Sequence, residues 1–171
     1  MTSAITLRRP VSEDGRAVFT LIMECPPLDI NSVYCNLLQC SHFRDTSVIA
    51  TDEQGAAGFI SGYIIPDRPD TLFIWQVAVS DRARGQGLAR RMLDEILQRP
   101  QCAEVRHVET TITEDNAASW ALFESLARGY QATLKRSLMF DKKLHFGDRH
   151  DSEILARIGP LQFAEEQKQR A

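Results

Sequence analysis

The chain has 171 residues, 43% of them hydrophobic, which suits one ordinary domain with a sizeable core. Twenty Lys and Arg stand against 23 Asp and Glu, a formal charge of -3; no global field draws the chain to nucleic acid or an anionic membrane, so any attraction to a polyanion has to be local. No stretch approaches the roughly 18 apolar residues that a membrane span requires, and no apolar run follows a basic start at the N-terminus. The expected address is therefore cytoplasmic.

Ile5-Thr6-Leu7 begins a short strand, and Ser12, followed by Glu13 and Asp14, reads as the cap of a helix with Val18, Leu21, Ile22 and Cys25 at helical spacing. Pro26-Pro27 stops it, and a second helix starts near Asn31 or Ser32 with Val33, Leu37 and Leu38 on one face. Residues 46–51 and 58–65 flank the turn-like Asp52-Glu53-Gln54-Gly55 and predict an antiparallel hairpin, followed by a turn over 66–70. The run Leu72-Phe73-Ile74-Trp75-Gln76-Val77-Ala78-Val79 is apolar almost throughout, the mark of a central strand covered on both faces.

A Gly-bearing turn comes next, then a helix carrying Leu88, Ala89, Met92, Leu93, Ile96 and Leu97 and ending before Pro100. Residues 105–113 form another strand. Asp115 or Asn116 begins a helix bearing Trp120, Leu122, Phe123 and Leu126, closed by Gly129 as a left-handed cap, and residues 130–140 return as a strand. The class is α/β (or α+β), a mixed sheet with helices on both faces. Residues 1–160 read as a single domain and 161–171 as a polar tail. The four cysteines Cys25, Cys35, Cys40 and Cys102 make no CxxC pair and read as reduced structural thiols.

The segment Arg82-Ala83-Arg84-Gly85-Gln86-Gly87 follows a buried strand and opens an amphipathic helix. A diphosphate needs several convergent donors, which free amides at a helix N-terminus supply along with the positive end of the dipole. Gly85 and Gly87 let the backbone come close, and Arg82 and Arg84 add cationic steering. By itself the motif is equally a ligand-free glycine turn; its position between strand and helix favours the anion site. There is no Gly-Lys-Ser/Thr of a nucleotide triphosphatase, and the third glycine of a dinucleotide fingerprint is missing.

Val77-Ala78-Val79, then Arg82-x-x-Gly85-x-Gly87-Leu88-Ala89, resembles motif A of the GNAT N-acetyltransferases, and Asn116-Ala117-Ala118-Ser119-Trp120-Ala121-Leu122-Phe123-Glu124, ending at Gly129-Tyr130, resembles their motif B. The resemblance implies a GNAT-like mixed sheet of about six to seven strands. It also implies acetyl-CoA as co-substrate, held between two splayed central strands by Gln76, Val77, Ala78, Val79 and the loop and helix start from Arg82 through Ala83, Arg84, Gly85, Gln86 and Gly87 to Leu88 and Ala89. Asn116, Trp120 and Phe123 join them from motif B, although Asn116 is also a routine helix cap. Many family members have Tyr where this chain has Phe123, as general acid to the departing thiolate; Phe123 cannot donate a proton.

Within the family, Pro27-Leu28-Asp29-Ile30-Asn31-Ser32-x-Tyr34, Cys40-x-His42-Phe43, residues 73–79 and His145-Phe146-Gly147-Asp148-x-His150-Asp151-x-Glu153 resemble the enzymes that acetylate the side-chain amine of a small diamino acid. That implies a diamino acid acceptor, a homodimer, and substrate contacts at Asp29, Asn31, Tyr34, Trp75, His150 and Glu153. Such a substrate needs carboxylates for its ammonium, donors for its carboxylate and a route for a proton. Asp29 is equally a turn residue, Tyr34 and Trp75 equally packed aromatics, and His150 and Glu153 equally a polar surface, sharing a face if their segment is helical. Tyr34 and Glu109 are the candidate catalytic side chains; a water or no protein acid stands beside Tyr34 for the thiolate, and deprotonation through a water chain is the working expectation for the base, with Glu109 equally a solvated strand-end residue. Two histidines, His145 and His150, without clustered partners make a weak metal site, so no metal is expected.

Overall fold

The structure is a computed structural model and describes residues 4–164. Seven strands form a mixed sheet in the order β1-β2-β3-β4-β5-β7-β6, and the chain groups into two compact units, Met1–Tyr63 with Ile74–Ala103, and Ile64–Phe73 with Glu104–Ala171.

In the first unit β1 (Thr6–Arg8) pairs antiparallel with β2 (Val48–Asp52), and β2 with β3 (Gly55–Ile65). The hairpin turn is where Gly55 takes a φ of 107°, which a side chain would resist. Helix α1 (Gly15–Met23) buries Val18, Leu21 and Ile22. The carboxylate of Asp14 accepts from the Val11 amide at 2.8 Å and is held by Arg8, so Asp14, not Ser12, closes this N-terminus. Helix α2 (Val33–Ser41) is capped as expected, with Ser32 Oγ accepting from the Cys35 amide at 3.1 Å.

Phe59 packs in one cluster with Val18, Leu21 and Ile22 of α1, Cys40 of α2, and Ala78. Its neighbour Gly58 points the other way, where an added Cβ would lie 2.9 Å from Met92 Cε of α3 (Leu88–Leu97). The predicted placement of helices on both faces holds in this unit, and the missing side chain at residue 58 lets α3 approach β3. Strand β4 (Arg68–Val79) starts at Arg68, so the expected turn over 66–70 is shorter. Its final stretch is not covered on both faces: Ile74, Gln76 and Ala78 are buried, whereas Trp75 is 43% exposed and Val77 and Val79 are half-buried.

In the second unit β4 pairs in parallel with β5 (His107–Ile112) at Thr71, Leu72 and Phe73. β5 pairs antiparallel with β7 (Glu153–Gly159), and β7 with the edge strand β6 (Thr133–Phe140). β7 was not among the predicted strands; the helical setting considered for His150 and Glu153 is replaced by a loop and a strand start. Helix α4 (Ala117–Gly129) packs on β6 and β7. Gly129 belongs to the helix, and the left-handed residue is Gln131, at φ 50°. Beyond β7, Leu161 is buried, its amide donates to Arg106 O at 2.8 Å, and the Phe163 ring lies 5.3 Å from that of Tyr130. Residues 165–171 lie outside the described residues.

Candidate active site

The anion loop hangs between β4 and α3 in the first unit. The Ser80 amide donates to Ala57 O at 2.9 Å, a short turn over Asp81–Ala83 buries Ala83, and Gly85 and Gly87 take φ of 73° and 68°. Gly87 is the N-cap of α3, and an added Cβ at residue 85 or 87 would meet nothing within 4 Å. The first-turn amides of α3 have no intrahelical acceptor and carry the positive end of the dipole.

Arg82 does something other than steer. Its guanidinium donates to Asp52 at 2.8 and 3.3 Å and reaches Ser80 Oγ and the carbonyls of Gly55 and Ala56, latching the loop to the hairpin turn. The hydrogen bond from Arg82 holds the Asp52 carboxyl below the usual range. Arg84 pairs with Asp81 at 2.7 Å and donates to Val79 O, and Gln86 Nε2 folds back onto Arg82 O. Both arginines are engaged in holding the shape of the loop.

Trp75 and Gln76 sit on β4 one strand-length before the loop. Trp75 stands edge-on to Phe43 and Tyr63 at centroid distances of 6.4 and 6.3 Å, and those two rings are 5.9 Å apart, so the half-exposed indole is propped by two aromatics, Phe43 of the Cys40-x-His42-Phe43 stretch and Tyr63 of β3. Gln76 is bonded to the segment before α2: its Nε2 donates to Asp29 O at 2.9 Å, and its Oε1 accepts from Asn31 Nδ2 at 3.1 Å. Tyr34, in the first turn of α2, is 70% exposed. Asp29, Asn31, Tyr34, Trp75, Gln76 and the 82–87 loop therefore belong to one unit.

The second unit holds the other candidates. Glu109, 1% exposed, accepts from Arg68 Nη1 and Nη2 at 2.7 and 3.0 Å and from Arg157 Nη1. Burial pushes its carboxyl up, but the hydrogen bonds and charges of the two guanidiniums more than reverse that and hold it below the usual carboxylate range. A carboxylate so fixed is a weak proton acceptor. Neither arginine was anticipated.

Asn116 Oδ1 accepts from the Ser119 amide at 3.1 Å, capping α4 and leaving the Nδ2 end of the side chain outside that bond. Trp120 is enclosed: its Nε1 donates to Thr113 O at 3.1 Å and the Arg136 guanidinium lies 3.8 Å above its ring. Phe123 is also buried, which makes both aromatics packing residues of α4 in this structure. The loop from β6 to β7 places His150 Nε2 3.8 Å from Glu153 Oε1 and the His150 ring 4.6 Å from that of Phe146. The cysteines are free, and burial pushes the thiols of Cys40 and Cys102 up to about 12 and about 11, far from thiolate chemistry. Among the described residues no three metal-ligating side chains cluster.

This geometry can be set beside known proteins. The chain matches the acetyltransferase (GNAT) family over residues 16–129. It is 55% identical, over 92% of its length and 91% of the relative's, to L-2,4-diaminobutyric acid acetyltransferase of Methylotuvimicrobium alcaliphilum. Against the enzyme of the same name from Halomonas elongata it is 49% identical over 94% of this chain and 83% of that one. Among solved structures it is similar to the diaminobutyrate acetyltransferase EctA of Paenibacillus lautus in complex with its substrate L-2,4-diaminobutyric acid and coenzyme A, with a TM-score of 0.89 and 37% identity over 95% of this chain and 98% of that one. The ribosomal-protein-S18-alanine N-acetyltransferase of Escherichia coli shares the fold, with a TM-score of 0.71 at 17% identity.

Proposed function

The chain belongs to the acetyltransferase (GNAT) family, and on that premise we propose that it transfers acetyl from acetyl-CoA to the N4 amine of L-2,4-diaminobutyrate, the acetylating step of ectoine synthesis, in the cytoplasm and in the service of osmoprotection. The observation that carries this reading is the likeness, over nearly the whole chain, to a solved enzyme that holds both diaminobutyrate and coenzyme A. No helix among the described residues is long and apolar enough to cross a membrane.

The roles follow from the chemistry of each side chain. The amides at residues 85–89 receive the diphosphate, within a loop kept in shape by Arg82 and Arg84. Val77 and Val79 offer backbone donors to the pantetheine amides or the thioester carbonyl, and the free end of Asn116 serves the same arm. Asp29 accepts from a substrate ammonium and the Trp75 face stabilises it through its quadrupole. Asn31 contributes indirectly, through Gln76. His150 and Glu153 take the carboxylate and the α-ammonium.

The N4 amine, once deprotonated, attacks the thioester carbonyl; the tetrahedral intermediate collapses with loss of the CoA thiolate, and no covalent enzyme nucleophile is required. With Glu109 locked between arginines, water takes the amine proton. The exposed Tyr34 hydroxyl is the side chain suited to return one to the thiolate, since Phe123 has none to give.

A thiol-release assay with diaminobutyrate, ornithine, lysine, spermidine and a peptide is expected to give the highest kcat/KM for diaminobutyrate; no preference for it sinks the reading. We read the chain further as a homodimer. The support is the edge strand β6, where Leu138 is 57% exposed and Met139 and Phe140 are also open, continued by Leu144. Sedimentation should give twice the chain mass, and Leu138→Glu should give the monomer; a monomeric wild type would end this part of the proposal.

A further inference from the structure

Gln76 is the polar exception in the last stretch of β4. Its strand neighbours Ile74 and Ala78 are each 1% exposed, and Gln76 itself is 8% exposed. Burying an amide among apolar side chains is unfavourable unless both ends are bonded, and here both ends are: the nitrogen donates to Asp29 O and the oxygen accepts from Asn31 Nδ2. A leucine or methionine would fill the same space without that requirement. The amide is therefore explained by what it holds, and that is the segment between two fixed points. On one side Leu28 packs against the core and its amide donates to Cys25 O at 3.0 Å; on the other, Ser32 caps α2. Between them residues 29–31 form neither helix nor strand.

We propose that Gln76 is a positioning residue for the acceptor amine, a two-ended latch that fixes the Asp29–Asn31 segment to the strand carrying Trp75. This rests on the reading above that Asp29 and Trp75 receive the amine. The latch sets the place of the Asp29 main chain, and hence of its carboxylate, relative to the propped indole one residue away on β4. It moves Gln76 from the cofactor side, where the family resemblance put it, to the acceptor side.

The test is steady-state kinetics with both substrates on Gln76→Met, which preserves volume and removes both bonds. Because Asp29 is exposed and Asn31 half-buried, water can take up the groups released, and the melting temperature should stay close to that of the wild type. KM for the amine should rise about tenfold, the usual consequence of losing a pair of neutral hydrogen bonds that order a binding segment, while KM for acetyl-CoA stays unchanged. Gln76→Glu, which keeps the acceptor for Asn31 and loses the donor to Asp29 O, should fall in between. Asn31→Ala combined with Gln76→Met should add little to Gln76→Met alone, because both break one connection.

An unchanged KM for the amine overturns the proposal, and so does an equal rise in both KM values, which would return Gln76 to the donor side. If Gln76→Met does not fold, Asn31→Ala reads the same split from the solvent side, and no change there overturns the latch. Should the wild type prefer another amine of the panel, the functional reading falls, and the same comparison with that amine still decides the role of Gln76.

Discussion

Glu109→Leu is expected to destabilise the protein by about 2 kcal/mol while leaving the chemistry of the folded enzyme in place. Removing one partner of a buried ion pair typically costs about 3–5 kcal/mol, because the charge left behind has lost its compensation. Here the remaining charges are Arg68 and Arg157, whose side chains are 44% and 33% exposed; they can turn toward water, which discounts the loss. Glu109→Gln keeps acceptor capacity for one guanidinium and should lose less. If Glu109 were the base, either change would lower kcat about 10²–10⁴-fold; the geometry predicts that kcat of Glu109→Gln stays near that of the wild type. Urea unfolding and kcat on the same preparation separate the two roles, and a collapse of kcat without loss of stability would restore Glu109 to catalysis.

The same network sets the response to acid. The folded Glu109 carboxyl titrates below its ordinary value of about 4.3, so its contribution is fully present above the unfolded value and is lost as pH falls through the lowered folded one. Asp14, held down by its hydrogen bond from Arg8, acts in the same direction. Stability should therefore be flat at neutral pH and decline on acidification through the carboxylate range, with a shallower decline in Glu109→Gln than in the wild type.

What the sequence made legible is what depends on neighbours in the chain. The anion loop could be read because strand, glycines and helix follow one another within about a dozen residues, and because the left-handed backbone at residues 85 and 87 is something glycine announces. The caps at Ser32 and Asn116 are local for the same reason. Glu109 could not be read, since its partners Arg68 and Arg157 lie 41 and 48 positions away and meet it only through strand pairing. β7 escaped because Glu153 and Arg157 interrupt its apolar residues, and its alternation makes sense only once Arg157 is seen opposite Glu109 in the β5 register. At the end of α4 the glycine misled: Gly129 stays helical and Gln131 takes the positive φ, because the Ala132 amide closes back onto Ala127 O and fixes the turn two residues later. The open face of β4 at Trp75 has a different origin. An apolar run is the same whether a strand is covered by protein or left for a ligand, so composition alone could not separate a core strand from a binding strand.

That distinction makes Gly87→Val the sharpest test of the donor site. Gly87 holds φ at 68° at the N-cap of α3, so any side chain there meets left-handed strain of about 1–2 kcal/mol. The direction of an added Cβ is open, with nothing within 4 Å, so the substitution does not disturb the packing of the loop against its own unit. Residue 87 adjoins the first-turn amides as the N-cap of α3, so on the proposed binding mode two branched methyls there would obstruct the diphosphate. Losing about two hydrogen bonds to a charged ligand, each worth about 1.5–3 kcal/mol, should weaken coenzyme A at least about a hundredfold in calorimetry. Gly87→Ala carries much of the same backbone strain with less bulk and should lose less affinity at a similar melting temperature, so the gap between the two variants reads obstruction rather than misfolding. Equal affinities for wild type and Gly87→Val would mean that the diphosphate does not rest on these amides, and the positive end of α3 would then have to be explained without it.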